Sequence, residues 1–125
     1  MIELRKALHA HIRSIHPRAY YQRAPDTAQF PYLVYRMEIY DDGEALQLIT
    51  LDIDGWDRPE VAGDTTEIEN LMVAVNAGMN KATLTTDTLA VSFYLDRKLP
   101  LLDDDPRILR RKYIYQGRLF ERRDN

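Results

Sequence analysis

Three aspartates, Asp52, Asp54 and Asp57, surround the only tryptophan, Trp56, in "LITLDIDGWDRPE", residues 48–60. On an extended strand Asp52 and Asp54 project from one side, roughly 6.5–7 Å apart along it. Two carboxylates at such a separation can flank a glycosidic bond or share a cation. A small carboxylate-dependent hydrolase, or a metal-binding enzyme using Asp52, Asp54 and Asp57, is therefore one reading. Its companions are missing: no proton donor, nucleophile or oxyanion donor stands out nearby. "DIDGWD" also fails as a calcium loop. It has Trp56 at position 5, glycine at position 4 rather than 6, and Gly63 where the bidentate glutamate belongs. A magnesium site built with Asp57 or Glu60 is a further alternative. The residues thus predict no catalytic, cofactor-binding or metal set, and place the segment at a strand end that meets another surface.

Other chemistry-bearing residues read similarly. His9, His11 and His16 lack the i, i+4 spacing of a helical zinc pair, which predicts local capping or solvent exposure. "LLDDDPR" sets Asp103, Asp104 and Asp105 in an acidic turn before Pro106. "RILRRKY" then supplies Arg107, Arg110, Arg111 and Lys112. Basic residues followed by Tyr113 and Tyr115 suit an adaptor or nucleic-acid-binding module using segment 107–123. The basic patch is small, however, and the chain is acidic overall. Trp56 reads first as closing one end of the core, with its indole nitrogen at the rim, and second as an anchor for a protein contact. The interface candidates are Asp52, Asp54, Trp56, Asp103, Asp104, Asp105, Arg107, Arg110, Arg111 and Lys112. Gly-rich phosphate loops and dinucleotide fingerprints are absent.

A chain of 125 residues, 45% hydrophobic, suggests one domain, 1–125, with a real core. Net charge is -3. The charge is uneven: residues 106–125 hold 7 basic and 2 acidic side chains, net +5, leaving net -8 on residues 1–105. Such patches can meet across a subunit boundary. Without cysteine there are no disulfides. No apolar run reaches membrane-spanning length and the first residues lack a signal-peptide pattern, so no membrane association is expected.

The elements that position these residues follow from periodicity. Leu4, Leu8, Ile12 and Ile15 predict a helix over 2–15. Residues 17–31, broken by Pro25 and Pro31, read as irregular. "YLVYRMEIY", 32–40, alternates as a strand, with Leu33, Tyr35, Met37 and Ile39 on one face. Asp42-Gly43 predicts a hairpin turn into a second strand over 45–54, with Gly55 and Pro59 at its end or bend. Ile68, Leu71, Met72, Val75 and Met79 predict a helix over 65–80, with Thr66 and Glu69 at capping-box spacing and Asp64 with Glu67 as an alternative, earlier start. Strands over 88–99 and 108–123 complete the chain, with a bulge or turn at Gly117. The predicted fold class is α+β: a small, mainly antiparallel four-stranded sheet packed against two helices, in the order α-β-β-α-β-β.

With these blocks in hand, the chain resembles the small tail terminator or tail completion proteins of long-tailed bacteriophages, the head-to-tail joining family. The resemblance rests on the N-terminal helix, "FPYLVYRM" at 30–37, "LITLDIDGWDR" at 48–58, "DTTEIENLMVAV" at 64–75, "VSFYLDR" at 91–97 and "RRKYIYQGRLF" at 110–120, and covers most of the length. It implies a non-enzymatic structural virion protein that self-associates as a hexameric ring. The ring caps the tail tube, ends its polymerisation and joins tail to head. The implied partners are the major tail tube protein and a head completion protein, with DNA passing through the lumen without sequence-specific binding. The implied location is the tail–head junction of the virion, and the host cytoplasm during assembly. Rings need heterologous contacts between two different patches of one subunit, and the acidic and basic segments are candidates to supply them.

Overall fold

The computed structural model describes residues 2–41 and 47–121. Helix α1 spans Ile2–Ile15 and α2 spans Thr66–Met79. The strands are β1 (Ala19–Tyr21), β2 (Tyr32–Asp41), β3 (Gln47–Asp57), β4 (Thr83–Thr85), β5 (Leu89–Leu102) and β6 (Leu109–Glu121). They form one sheet in the order β1-β2-β3-β6-β5-β4. β1 pairs with β2 in parallel, and the other neighbours are antiparallel.

The expected four-stranded sheet in α-β-β-α-β-β order is therefore overturned. Six strands form a mixed sheet, with a short strand after α1 and another after α2. Both additions are three residues long, too short to display an alternating pattern. β1 lies in the stretch read as irregular, and its hydrogen bonding comes from β2 rather than from its own propensity. The Asp42-Gly43 turn lies outside the described residues, but β2 and β3 pair antiparallel in register from Tyr32–Trp56 to Asp41–Gln47.

Alternation decides which side chains reach the helices. Leu33 and Tyr35 of β2, Ile49, Leu51 and Ile53 of β3, Tyr115 and Leu119 of β6, and Val91 and Phe93 of β5 meet Leu4, Leu8 and Ile12 of α1 and Ile68, Met72, Val75 and Met79 of α2. Burying these side chains contributes roughly 1.5–3 kcal/mol each. Tyr115 also bonds Asn76 of α2 through its hydroxyl, at 3.0 Å, so its burial leaves no orphaned donor.

Gly55 does not end β3. It pairs in register with Leu33 and Arg111, and a Cβ there would lie 2.7 Å from Met72 Sδ. Its missing side chain lets α2 sit down on the strand. Gly117 likewise continues its strand, opposite Ile49 and Phe93. The bulge falls instead in β5, between Leu95 and Arg97. One extra residue reverses the facing of everything after it. Leu95 points to the helices, whereas Leu99 and Leu101 pair with Lys112 and Arg110 on the opposite face.

The capping box is not formed. Asp64 Oδ1 instead accepts from the Thr66 backbone N–H at 3.0 Å and from its hydroxyl at 2.7 Å. The histidines are not left to solvent, although His16 does follow the end of α1 directly. His9 Nδ1 contacts the Tyr35 hydroxyl, His11 Nε2 lies 2.7 Å from Gly78 O, and His16 Nε2 lies 2.9 Å from Pro31 O. His9 and His11 tie α1, and His16 the residue just past its end, to distant parts of the chain.

Candidate functional site

Both helices pack on one face of the sheet. Among the described residues no helix covers the other face. That open face carries Tyr32, Val34, Arg36, Glu38 and Tyr40 of β2, then Leu48, Thr50, Asp52, Asp54 and Trp56 of β3. Arg110, Lys112, Ile114, Gln116 and Arg118 of β6 follow in register. Four of its apolar side chains are well exposed: Tyr40, Tyr94 and Phe120 at 54% each and Leu48 at 42%. Tyr40 and Leu48 are cross-strand neighbours, and Arg118 and Gln116 of β6 separate them from Tyr94.

One end of this face is built as a stack. Tyr32 and Trp56 are directly opposite across β2 and β3, and their rings lie nearly parallel with centroids 5.9 Å apart. Phe30 and Tyr20 flank Tyr32 at 5.1 and 6.1 Å. Trp56 is opposite Arg110 across β3 and β6, and the guanidinium carbon sits 3.9 Å from its ring centroid. Arg110 Nη2 then donates to Asp54 Oδ2 at 2.7 Å. Trp56 thus stands outside the core cluster, correcting the expectation that it closes the core. Alternation from Ile53 places it there, because Gly55 continues the strand.

The electrostatics follow from burial. Asp54 is 8% exposed, and desolvation pushes its pKa up against the opposing pull of Arg110 and Lys112. Asp54 Oδ1, Trp56 Nε1 and Arg110 Nε are buried without a hydrogen-bond partner. Burial also raises the pKa of Tyr32, which feels Arg110, Asp103 and Asp54.

The structure brings together Asp54, Trp56 and Arg110, with Lys112 beside Asp54 and Asp103 near Tyr32. Asp52 is on the same face one step along, opposite Arg36 and Ile114. Asp105 and Arg107 form their own bidentate pair, with contacts of 3.1 and 2.8 Å, and this holds the Asp105 pKa down to about 2. Asp104 is exposed in the same loop. Arg111 points to the other side of the sheet, opposite Gly55 and Pro100, and donates Nη1 to the Arg110 carbonyl at 2.9 Å. The expected run of four neighbouring cations is thus split by strand alternation. Phe30, Tyr20, Leu99 and Leu101 were missed. β1 and the bulge place Tyr20 and the two leucines, and neither feature has a sequence signature.

A metal role finds no geometry here: among the described residues, no group of three or more His, Asp or Glu side chains is placed to hold a metal ion. Nor, among the described residues, is any helix long and apolar enough to cross a membrane.

No family model matches the chain, and no curated protein matches it. Among solved structures, it is similar to a chain from the virion of a native gene transfer agent (GTA) particle, with TM-score 0.76 and 16% identity over 96% of each chain. At that identity the likeness establishes a common fold.

Proposed function

We propose that this chain is a structural virion protein that assembles as a hexameric ring on the end of a tail tube, stops tube polymerisation and joins tail to head. The observation that carries the reading is the likeness in fold to a chain of a GTA virion, over nearly the full length of both. The open sheet face supports it. Exposed Tyr40, Tyr94, Leu48 and Phe120 lie on the same face as the Tyr32–Trp56–Arg110–Asp54 stack, away from the sheet end that the stack occupies, and a ring needs one such face to meet a different patch of the next subunit. The same face is the natural site for Asp52, Asp54, Trp56, Arg110 and Lys112 to act in contacts. The loop carrying Asp103, Asp104, Asp105 and Arg107 extends that surface beyond the sheet end.

On this reading the major tail tube protein lies on one side of the ring and a head completion protein on the other. DNA passes through an opening whose acidic groups repel phosphate and limit sticking. The protein would work at the tail–head junction and assemble in the host cytoplasm. The hydrolase alternative is weakened because Asp54 is committed to Arg110.

The test is electron microscopy of the purified protein with and without tail tubes. Rings at tube ends and arrested tube growth are expected. Bare tube ends and unimpeded elongation at saturating protein would sink the proposal.

A further inference from the structure

The sheet leaves one length of edge open. β1 covers β2 only from Leu33 to Tyr35, and its last rung is the Gln22 N–H on the Tyr35 carbonyl at 2.8 Å. Gln22 then takes a φ of 66°, and the Arg23 N–H turns back to the Tyr21 carbonyl, so the chain leaves the edge. β2 runs on to Asp41 with β3 on its other side. Backbone groups of a strand point alternately to its two neighbours. Leu33 donates and Tyr35 accepts on the β1 side. Met37 and Ile39 therefore present their N–H and C=O groups to that same side, where no described strand pairs with them. Beside this edge α1 and β2 frame two adjoining cavities. One, of about 230 Å³, is lined by Ile2, Arg5, Tyr21, Met37 and Ile39. The other, of about 330 Å³, shares Arg5 and Tyr21 and adds Lys6, His9, Ala10 and Tyr35.

We propose that this edge accepts an extended, acidic segment of another protein, added to β2 as a further strand. The site lies apart from the open-face stack and does not depend on the ring reading. Strand addition draws affinity from main-chain hydrogen bonds and specificity from side-chain pockets, and here the two cavities take the apolar side chains that face α1. The rim sets the sign of the charge. Residues 2–23 carry 5 basic and 1 acidic side chains, net +4. Arg5 and Lys6 are exposed and form no ion pair among the described residues, while Arg5 holds its guanidinium carbon 5.5 Å from the Tyr21 ring centroid. Glu3 is the one acid of α1, and Glu38 is turned to the open face and accepts from the Tyr40 hydroxyl at 2.6 Å. The chain's own edges do not supply the arm. Among the described residues β5 has no outer strand partner beyond Ser92, and past Leu95 it carries the bulge, Lys98 and Pro100, each of which discourages pairing. β1 and β4 are three residues long. β2 has neither lysine nor proline between Arg36 and Asp41.

The experiment titrates the full chain with an acetylated, amidated peptide, Glu-Glu-Val-Thr-Val-Thr-Val-Glu-Glu, and follows amide NMR signals and hydrogen exchange. Saturable binding and slowed exchange at Met37 and Ile39 are expected. The counterpart with lysine at every glutamate should bind roughly tenfold more weakly, and Arg5→Glu with Lys6→Glu should reverse that order. Both positions are exposed, so the unfolding midpoint should hold. Two further peptides, each N-methylated on one alternate set of amides, probe main-chain pairing: one should bind as the parent peptide does and the other should not. Absence of saturable binding, equal binding of acidic and basic peptides, N-methylated forms that behave alike, or unslowed exchange at Met37 and Ile39 overturns the proposal. Exchange at these amides that slows with protein concentration alone assigns the edge to a second copy and overturns it too. None of these outcomes bears on capping, which is read separately at tube ends.

Discussion

Arg110 serves two neighbours at once: its Nη2 lies 2.7 Å from Asp54 Oδ2 while its guanidinium carbon lies 3.9 Å from the Trp56 ring centroid. The arrangement costs burial of a charge pair, with side chains 20% and 12% exposed, on a face that also keeps large apolar groups in solvent. Such a pair adds little to stability over well-packed apolar groups of the same size, but losing one member is expensive.

Arg110→Ala should therefore destabilise the fold by about 3 kcal/mol, because Asp54 is left buried and unpaired. Arg110→Lys should recover only part of the loss, since an ammonium cannot stack and bond in the same plane. Urea unfolding measures the cost. Emission from Trp56, the only tryptophan, should change in both variants. Unaltered emission would contradict the stacked geometry.

Acid should act on the aspartates in two opposite directions. Burial raises the pKa of Asp57 and of Asp54 above 3.8. Their folded forms therefore take up a proton at higher pH than the unfolded chain does. Stability from these two rises as pH falls through their folded values towards 3.8. Asp64 and Asp105 are lowered, by hydrogen bonds from Thr66 and Arg107 respectively, Asp105 to about 2. Their contribution is present above 3.8 and is lost as pH falls from there towards 2. Urea midpoints across this range should show Asp57→Asn removing part of the gain on mild acidification, and Asp105→Asn removing part of the loss below 3.8.

The helices touch where Gly78 faces Ile15. A Cβ at Gly78 would lie 2.5 Å from Ile15 Cδ1 and 2.8 Å from its Cγ1. Gly78→Ala should cost about 1–2 kcal/mol through overpacking, despite the helix propensity of alanine, and Ile15→Val in the same chain should relieve part of it by removing the δ-carbon. Thermal unfolding of the two variants decides the point. A stabilised Gly78→Ala would mean that Ile15 moves aside freely.

Asn76→Leu should leave the Tyr115 hydroxyl buried without its acceptor, since that bond is 3.0 Å and Tyr115 is fully buried. A loss of about 1–3 kcal/mol is expected. Tyr115→Phe combined with Asn76→Leu should be milder than Asn76→Leu alone, because the orphaned donor is then gone. Equal losses would indicate that the bond contributes nothing.

The open face, if it docks neighbours or tube, should feel substitutions that spare the fold. Tyr94→Ser and Phe120→Ser, both at positions 54% exposed, should leave the unfolding midpoint within about 0.5 kcal/mol of the parent. Both should reduce occupancy of tail-tube ends in micrographs. Full occupancy with both substitutions would remove this face from the contact.

The periodic residues were enough to establish the two helices and the four long strands. Leu4, Leu8 and Ile12 recur at helical spacing, and Ile49, Leu51 and Ile53 alternate, because each set must turn towards one core. Charge asymmetry and the lack of catalytic companions to Asp52 and Asp54 were also open to reading, since composition and spacing are local properties. Tertiary structure alone decided the rest. β1 and β4 are three-residue strands that exist because a neighbour accepts their backbone bonds. Gly55 stays in β3 because Met72 needs its missing side chain. The bulge after Leu95 redirects Leu99 and Leu101. Whether Trp56 enters the core or stacks outside it depends on the strand continuing through Gly55, a property of α2 packing against β3 rather than of the tryptophan or its sequence neighbours.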